Sequence, residues 1–515
     1  MDDEVARGTT AAGDPPHPDA PRRAAADAAP GDPQGRGSDF LLLDAAAVPA
    51  TGKADWLAGR LRQAIADGRL AVGGRLPSTR LLAAELGLSR GVVTEAYRRL
   101  AEDGRTEGRR RGGTVVVAAP RPEPAAPEAP PDPAPDALFT GEPTTDVFDA
   151  LRAAPARVDF TPGRPDLAVF PRTAWLRAER AVLAELSADT LGYGDPRGAP
   201  RLRRAVTDWL ARSRGIRVSP DEVIVVAGTA QALALLNPVL RAEGVDAVAV
   251  EEPGSLGTRQ HLHYAGLATP PVPVDEDGVR VDALRATGAR AVLLTPAHQF
   301  PTGVVTSGER RRELLRWAQE GGLILEDDYD AEHRYDRPPV QALRALLADR
   351  VCYLGSVSKL LAPALRIGWT VPPPRYRAAL TDAKRFTDLG NPVLPQLVLA
   401  RLMESGDLER HLRMLRGRHR RRRDAVMAAV GEHLPGAVVH GAAAGLHLTV
   451  TYPQDVPDTA LAAAALARGV KCHPLSWHRQ LPGRPGLVLG YSATPPGVAA
   501  EGVAALGRAL RELSS

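Results

Sequence analysis

Apolar and polar positions change their pattern along the chain of 515 residues, and the changes divide it into four segments. Residues 1–49 are rich in proline, aspartate, alanine and glycine without apolar periodicity, so we expect a disordered tail. Residues 50–117 carry apolar side chains at helical spacing, and residues 118–157 form a linker rich in proline and alanine. From residue 158 to residue 515, short apolar runs alternate with helical stretches. This alternation predicts a parallel sheet covered by helices.

The segment 50–117 predicts three helices followed by a hairpin. Apolar spacing predicts a first helix over residues 55–67, and a glycine turn separates it from a short second helix over residues 81–86. Ser89 caps a third helix, Arg90–Glu102. Two short helices joined by a glycine turn are typical of a helix-turn-helix, whose second helix enters the major groove of DNA. Residues 109–117 predict a hairpin with a basic tip, which completes a winged helix-turn-helix.

Three sequence motifs in this segment resemble the GntR family of bacterial regulators. They are Leu-Pro-Ser-Thr-Arg at 76–80, Leu-Ala-Ala-Glu-Leu-Gly-Leu-Ser-Arg-Gly-Val-Val at 82–93 and Gly-Gly-Thr-Val-Val at 112–116. One departure is the polar run 105–107, where we expect apolar residues of the first wing strand. The resemblance implies double-stranded operator DNA as a partner. The implied contacts are Arg80 on a phosphate or base, a recognition-helix face of Ser89, Arg90, Gly91 and Thr94, and a wing tip of Arg111 and Gly112.

Charge and composition agree with a DNA-binding segment in a cytoplasmic protein. The whole chain has a net charge of +4, whereas residues 53–111 hold 13 Lys and Arg against 7 Asp and Glu, a net charge of +6. The positive excess therefore lies in the segment that resembles a DNA reader. Two cysteines leave no disulfide framework, and no apolar run is long enough to span a membrane, so we expect a cytoplasmic location.

Lysine is rare in this chain, which has only Lys53, Lys359, Lys384 and Lys471 among 65 basic residues. A guanidinium cannot lose its proton and attack a carbonyl, whereas a lysine amine can. Lys359, in the motif Gly-Ser-Val-Ser-Lys, is therefore our candidate for a Schiff-base lysine. The alternative is that it is a solvated surface charge, which is our interpretation of the other three.

Polar residues follow four of the apolar runs in the last segment. The runs end near residues 226, 294, 325 and 354. Because ligands of open parallel sheets bind beyond the carboxyl ends of the strands, we expect these residues to converge. Pyridoxal phosphate requires a lysine for its aldehyde, a carboxylate for its ring nitrogen and an anion site for its phosphate. The matching residues are Lys359, Asp327, Tyr329 for the ring oxygen, and Gly228, Thr229, Ala230, Ser356, Ser358 and Arg366 for the phosphate.

Five motifs in this region together resemble the fold-type I aminotransferases. In their amino-acid sequence these motifs resemble the MocR-type regulators of the GntR family. They lie at residues 159–166, 193–198, 298–303, 326–330 and 358–369. The resemblance implies a PLP-dependent transferase fold with a large α/β subdomain at about 190–375 and a smaller α+β subdomain from about 376. It also implies a head-to-tail homodimer in which Tyr193 reaches the phosphate of the partner subunit.

The expected function is that of a transcriptional regulator that binds pyridoxal phosphate and senses an amine, an amino acid or pyridoxal phosphate itself. Phe300 and Ser255 depart from residues common in aminotransferases, so the effector cannot be carried over from a relative. Arg479 and Arg484 are the candidates for binding an effector carboxylate, and no residue is assigned to a metal. Two alternatives stay open: a working aminotransferase with an accessory DNA-binding domain, and a repressor whose second domain only dimerises.

Overall fold

Two units make up the chain, residues 1–130 and residues 131–515. The computed structural model describes residues 52–109, 113–117, 135–335 and 340–515. The predicted disordered tail, the wing-tip residues Arg111 and Gly112, and the linker up to residue 134 lie outside the described residues. No helix of the described residues is long and apolar enough to cross a membrane.

The first unit contains the predicted helices and hairpin. Ser78 and Ser89 cap the second and third helices, because their hydroxyls accept hydrogen bonds from the backbone N–H of Leu81 and Val92, at 3.2 and 3.4 Å. Apolar faces of all three helices form one buried cluster. The elements are α1 (Lys53–Ala66), α2 (Thr79–Leu86), α3 (Arg90–Glu102), β1 (Thr106–Arg109) and β2 (Gly113–Val116).

The polar run 105–107 does not prevent the first wing strand. β1 pairs with β2 in antiparallel register, with Thr106 opposite Val116 and Arg109 opposite Gly113. Val116 is fully buried and Thr106 is nearly so. β1 is therefore held in place by its backbone pairing with β2 and by the apolar face of β2, rather than by apolar side chains of its own.

The second unit is built on an eight-stranded sheet with the strand order β4-β11-β10-β9-β8-β5-β6-β7. The strands β10, β9, β8, β5 and β6 are parallel to one another, whereas β11 and β7 run antiparallel to the strands they pair with. The elements of this part are α4 (Val147–Ala153), β3 (Val158–Asp159), α5 (Arg172–Glu185), α6 (Pro200–Arg214), β4 (Ile224–Val226), α7 (Thr229–Ala242), β5 (Val248–Glu252), α8 (Leu256–Tyr264), β6 (Pro271–Asp275), β7 (Gly278–Val279), α9 (Val281–Ala286), β8 (Ala291–Leu294), α10 (Gly308–Gln319), β9 (Leu323–Asp328), β10 (Val351–Ser356), β11 (Gly368–Val371), α11 (Arg377–Asp388) and α12 (Val393–Glu404).

A four-stranded antiparallel sheet, β12-β13-β16-β15, forms the centre of the smaller subdomain. Its elements are α13 (Asp407–His433), β12 (Val438–His440), β13 (His447–Thr451), α14 (Asp458–Ala467), β14 (Val470–Lys471), β15 (His473–Pro474), β16 (Gly486–Gly490) and α15 (Pro496–Leu513).

The smaller core begins later in the chain than residue 376, where the sequence analysis places it. α11 and α12 pack into the cores of the large subdomain. The change of core occurs inside α13, where Leu412 and Leu415 belong to the large subdomain and Val426 and Val430 to the small one. A helix of 27 residues has no break in its sequence pattern that marks this change.

The second half of the predicted linker is folded. A 3-10 helix spans Pro135–Phe139 and α4 spans Val147–Ala153. The rings of Phe139 and Trp477 are stacked with centroids 5.3 Å apart, and those of Phe148 and His473 are stacked at 5.2 Å. Proline-rich composition predicted a spacer up to residue 157, but a few apolar side chains anchor this part to the small subdomain.

A buried ion pair joins α6 to the end of β9. Arg214 Nε lies 2.5 Å from Asp328 Oδ2, and both side chains are 1% exposed. The hydroxyl of Tyr353, on β10, donates to the same oxygen at 2.6 Å. Arg214 also donates to the carbonyl of Val340. Removal of one partner would leave a buried charge without compensation.

We expect Asp328→Ala to lower the free energy of unfolding by about 3–5 kcal/mol, because Arg214 stays charged and buried. Urea denaturation followed by circular dichroism measures the change. Asp424→Ala removes an exposed carboxylate that is paired with Arg423, and should cost at most about 0.5 kcal/mol. Equal losses in the two variants would contradict this account of the pair.

Candidate functional site

The strand ends singled out in the sequence meet at one edge of the large sheet. β8, β9 and β10 are adjacent and parallel, so the residues that follow them leave the sheet on the same side. β4 joins them through the antiparallel strand β11. This edge therefore gathers the turn before α7, the loop after β8, the acidic end of β9 and the loop that carries Lys359.

Lys359 lies in a water-poor environment near two carboxylates. Burial lowers the pKa of its amine, and Asp327 and Asp330 act in the opposite direction. Its Nζ donates to the carbonyl oxygen of Gly163 at 2.6 Å. Gly163 has φ of 77°, and a Cβ there would lie 2.9 Å from Nζ, so glycine leaves the space that the amine occupies. A lysine with a lowered pKa is a suitable nucleophile for an aldehyde.

Asp327 is a half-buried carboxyl group at the end of β9. Thr229 Oγ1 donates to its Oδ1 at 3.3 Å. Burial raises the pKa of Asp327 to about 7, and the neighbouring Asp328 adds to the shift. Such a group is ready to accept a cationic partner, because an adjacent positive charge would restore its ionised form.

An anion site surrounds the start of α7. Gly228 precedes the helix with φ of 82°, and no side chain caps the free N–H groups of its first turn, which includes Thr229 and Ala230. Arg366 donates to the carbonyl of Ala227, and a Cβ on Gly228 would lie 3.5 Å from its guanidinium. The helix start and the guanidinium therefore face the same space.

The hydroxyls of Ser356 and Ser358 lie close together in the loop that carries Lys359. Ser356 Oγ lies 2.8 Å from Ser358 Oγ and accepts from the backbone N–H of Ser358 at 3.0 Å. Of the predicted phosphate ligands, Gly228, Thr229, Ala230 and Arg366 are brought together at the helix start, and Ser356 and Ser358 hold each other in the adjacent turn.

Tyr329 belongs to a buried polar cluster that the sequence analysis did not assign. Tyr329 Oη lies 3.0 Å from His298 Nδ1, which lies 2.9 Å from Asp330 Oδ2. Burial raises the pKa of Tyr329 well above its usual value, and the charge of Asp330 adds to this. Ligand atoms of His298, Asp330 and His447 lie within 4.8 Å of one another. Both His298 and Asp330 stand inside motifs that carry the family resemblance, and this was the available signal.

Four other residues discussed in the sequence analysis lie away from this cluster or are otherwise engaged. Tyr193 is 95% exposed and so is free to meet another subunit. Arg479 donates to the carbonyl of Arg484 within one loop, and Arg484 is exposed. Ser255 accepts from the backbone N–H of Thr258 and caps α8. The structure therefore gives neither arginine a contact with the residues around Lys359.

The predicted DNA-contacting residues of the first unit share an accessible surface. Arg80, Ser89, Arg90, Gly91 and Thr94 are all exposed. In contrast, Arg98 and Arg99 on the same helix α3 are ion-paired with acidic residues, including Glu95. The start of α3 thus offers its polar groups to a ligand, while later arginines of the helix neutralise carboxylates.

The arginine run 418–423 has structural contacts rather than an open basic surface. Arg418 and Arg422 both lie within 3.0 Å of Asp166 Oδ2. Arg420 and Arg423 donate to the carbonyls of Tyr335 and Ala442. Four of the arginines in this run therefore hold α13 against neighbouring parts of the chain.

Comparison with known proteins identifies both units. Residues 53–116 match the family described as bacterial regulatory proteins, gntR family, and residues 158–479 match aminotransferase class I and II. The probable rhizopine catabolism regulatory protein MocR of Rhizobium meliloti is 33% identical over 476 residues, covering 88% of this chain and 93% of that protein. The pyridoxine biosynthesis transcriptional regulator PdxR of Corynebacterium glutamicum is 33% identical over 416 residues, covering 80% and 86%.

The fold of the second unit also has solved counterparts. The α-aminoadipate aminotransferase LysN of Thermus thermophilus, complexed with N-(5'-phosphopyridoxyl)-L-leucine, has a TM-score of 0.65 at 28% identity over 74% of this chain and 97% of its own. Fold and site therefore define a protein that joins a GntR-type helix-turn-helix to a fold-type I aminotransferase unit, and aminotransferases of this class depend on pyridoxal phosphate. The chain belongs to the MocR-type regulators of the GntR family.

We expect Asp327→Asn to stabilise the ligand-free protein, because asparagine avoids the cost of ionising a buried carboxyl group. The folded-state pKa of about 7 lies above the unfolded value, so the contribution of Asp327 to stability falls as pH rises from about 4 to about 7. The stability difference between variant and wild type should grow over this range and then level off, on the order of 1–4 kcal/mol. Urea denaturation at several pH values measures it.

The control for this prediction is Asp424→Asn, the same substitution at an exposed position. A stability difference for Asp327→Asn that does not change with pH would show that Asp327 is not held protonated by burial.

Proposed function

We propose that the protein is a transcriptional regulator in which residues 50–117 bind operator DNA and residues 158–515 bind pyridoxal phosphate and an amine-bearing effector. The observation that carries the proposal is the presence, in one chain, of an exposed recognition surface at the start of α3 and a half-buried lysine, with a lowered pKa, near Asp327. A DNA partner agrees with the cytoplasmic location predicted from the sequence.

The residues of the site fit pyridoxal phosphate. Lys359 would hold its aldehyde carbon, and Asp327 would face the ring nitrogen and keep it protonated. The N–H groups after Gly228 and the guanidinium of Arg366 would bind the phosphate, since both converge on space that a larger residue would fill. Tyr329 would donate to the ring oxygen. When bound, the cofactor supplies an aldehyde that condenses with amines and a protonated ring that withdraws electrons.

Burial and hydrogen bonding prepare these side chains for their roles. The lowered pKa of Lys359 favours the neutral amine, which is the form that attacks a carbonyl. The contact of Nζ with the carbonyl of Gly163 orients the amine. The contact of Tyr329 with His298 fixes the phenol in the site. An effector amine would compete with Lys359 for the same carbon, and a Lys359 released in this way would be free to donate to the carbonyl of Gly163, as the unbound amine does here.

A homodimer completes the proposal. The exposure of Tyr193 supports its predicted role of reaching the phosphate of a partner subunit in a head-to-tail pair. The two helix-turn-helix segments of such a dimer would then contact two half-sites of an operator. The effector is an amine, an amino acid or pyridoxal phosphate itself. Relatives named as regulators of rhizopine catabolism and pyridoxine biosynthesis support a small-molecule signal without naming the one used here.

Transamination is the second candidate function. An aromatic-amino-acid aminotransferase of Thermococcus litoralis is 29% identical over 69% of this chain, and Lys359, Asp327 and Tyr329 are all in place. A screen of amine donors with keto-acid acceptors tests for turnover, whereas titration of operator binding with and without pyridoxal phosphate and amines tests for regulation.

We expect borohydride reduction of the protein with bound pyridoxal phosphate to label the peptide that contains Lys359. Lys359→Ala should abolish the label and the imine absorbance band, because Lys359 is the lysine whose charge acts on Asp327. Lys471→Ala is the matched control: the sequence suggested a surface charge there, but Lys471 is mostly buried and donates to the carbonyl of Arg152. Peptide mass spectrometry reads the position, and a label on another lysine would remove the cofactor assignment.

We expect Arg90→Ala to weaken operator binding by about 10- to 100-fold, because a guanidinium at the start of the recognition helix contacts a base or phosphate. Fluorescence anisotropy with a genomic fragment selected by the wild-type chain measures the affinity. The control is Arg98→Ala on the same helix, whose guanidinium is paired with Glu95 and Glu102. An equal loss of operator affinity in both variants would indicate that binding depends on the overall charge of the helix and not on the position of Arg90.

A further inference from the structure

A row of aromatic rings runs from the folded part of the linker into the small subdomain. Phe139 stacks on Trp477 with an interplanar angle of 15°. Phe148 meets the edge of the same indole, with centroids 6.2 Å apart, and stacks on His473. These two phenylalanines are therefore seated on the segment that includes β15 and the 3-10 helix Leu475–His478.

The row continues to the tyrosine beside the lysine. His473 and His478 stack with centroids 5.5 Å apart, and the ring of His478 meets that of Phe300 at 4.9 Å with an angle of 86°. Phe300 in turn lies edge-on to Tyr329, at 6.4 Å. Each ring thus contacts the next, from the surface of α4 to the cluster around Lys359.

Hydrogen bonds fix both imidazoles in this row. His478 Nδ1 accepts from the backbone N–H of Leu256 at 3.4 Å, so its proton is on Nε2 and points to His473 Nδ1, 3.3 Å away. Burial lowers the pKa of His473 to about 3 and holds that of His478 well below its usual value, so both rings are neutral. Each neutral ring keeps one tautomer, because moving its proton would break these hydrogen bonds. A displacement of one ring is therefore passed to the next ring by direct contact.

The loop that carries the rings is also attached to the large sheet. The carbonyl of His478 accepts from the N–H of Gly254 at 2.7 Å, and Arg259 Nη2 donates to the carbonyl of Trp477 at 2.7 Å. Gln260 Nε2 reaches the carbonyl of Thr144, between the two folded parts of the linker, at 3.0 Å. The segment 135–153 is therefore attached to the site from two directions, and it adjoins the part of the chain that leads to the first unit.

We propose that this row couples occupancy of the lysine site to residues 135–153, so that a ligand that moves Tyr329 or Phe300 changes the order of the linker end. The proposal rests on the proposed function. Close-packed rings respond to a displaced neighbour by shifting together, since the interior has no free volume to absorb the change. Phe139 and Phe148 are positioning residues for the response and touch no ligand.

Hydrogen exchange of the full chain tests the coupling without an operator or an effector. Pyridoxal phosphate is removed by dialysis with hydroxylamine and then restored, and the two forms are compared by mass spectrometry. Exchange in peptides that cover residues 135–153 and 473–480 should slow on loading, while α15, which lies in the same core but contributes no ring to the row, should not change. If the protein takes up the cofactor and residues 135–153 exchange at the same rate, the inference fails alone.

The variant Phe148→Leu tests the row directly. It should keep the imine band and the affinity for pyridoxal phosphate, but reduce the effect of pyridoxal phosphate on operator affinity by about threefold or more. Phe170→Leu is the matched control, because Phe170 is also half-buried and packs on a tryptophan, Trp175, outside the row. Phe139→Leu provides a second variant with the same expectation.

The outcomes separate the two proposals. A wild-type chain that binds no pyridoxal phosphate overturns the proposed function and this inference with it. If Phe148→Leu and Phe139→Leu both retain the full effect of pyridoxal phosphate on operator affinity, this inference is overturned and the proposed function is not. An equal loss in Phe170→Leu also overturns it, since the effect would then reflect general loosening of the fold.

Discussion

The structure depends on how it accommodates the carboxylates at the end of β9. Glu326, Asp327, Asp328 and Asp330 lie within five consecutive positions and have little exposure to water, so each ionised group must find its own partner or stay protonated. Three of them have strong partners. Those partners are the backbone N–H groups of Leu343 and Arg344 for Glu326, Arg214 with Tyr353 for Asp328, and His298 for Asp330.

Asp327 is the exception, because a single threonine hydroxyl is its only hydrogen-bond partner among the described residues. The alternation of side chains along a strand places it on the face opposite Glu326 and Asp328, toward Lys359. The neighbours of Asp327 thus have stabilising contacts within the protein, and this one carboxyl group is left to pair with a ligand. Residues that are costly in the empty protein and favourable in the loaded one are characteristic of binding sites.

Sequence reasoning succeeded where the signal was local. The cap at Ser89 marked the start of α3, and the rare lysine at 359 marked a loop that the structure places beside Asp327. It failed where partners are distant in the chain. Nothing near Phe139 indicates that it stacks on Trp477, and nothing near Leu415 indicates that α13 passes from one core to another. The cluster of Tyr329 with His298 likewise joins residues 31 positions apart, which composition and spacing alone do not pair.

The long helix α13 has a consequence for the cooperativity of the second unit. Its 27 residues span about 40 Å, and its first half is packed into one hydrophobic interior while its second half is packed into another. Loss of order in either interior removes the surface on which the other half of the helix rests. A single helix therefore links the stability of the two subdomains, although each keeps its own hydrophobic interior.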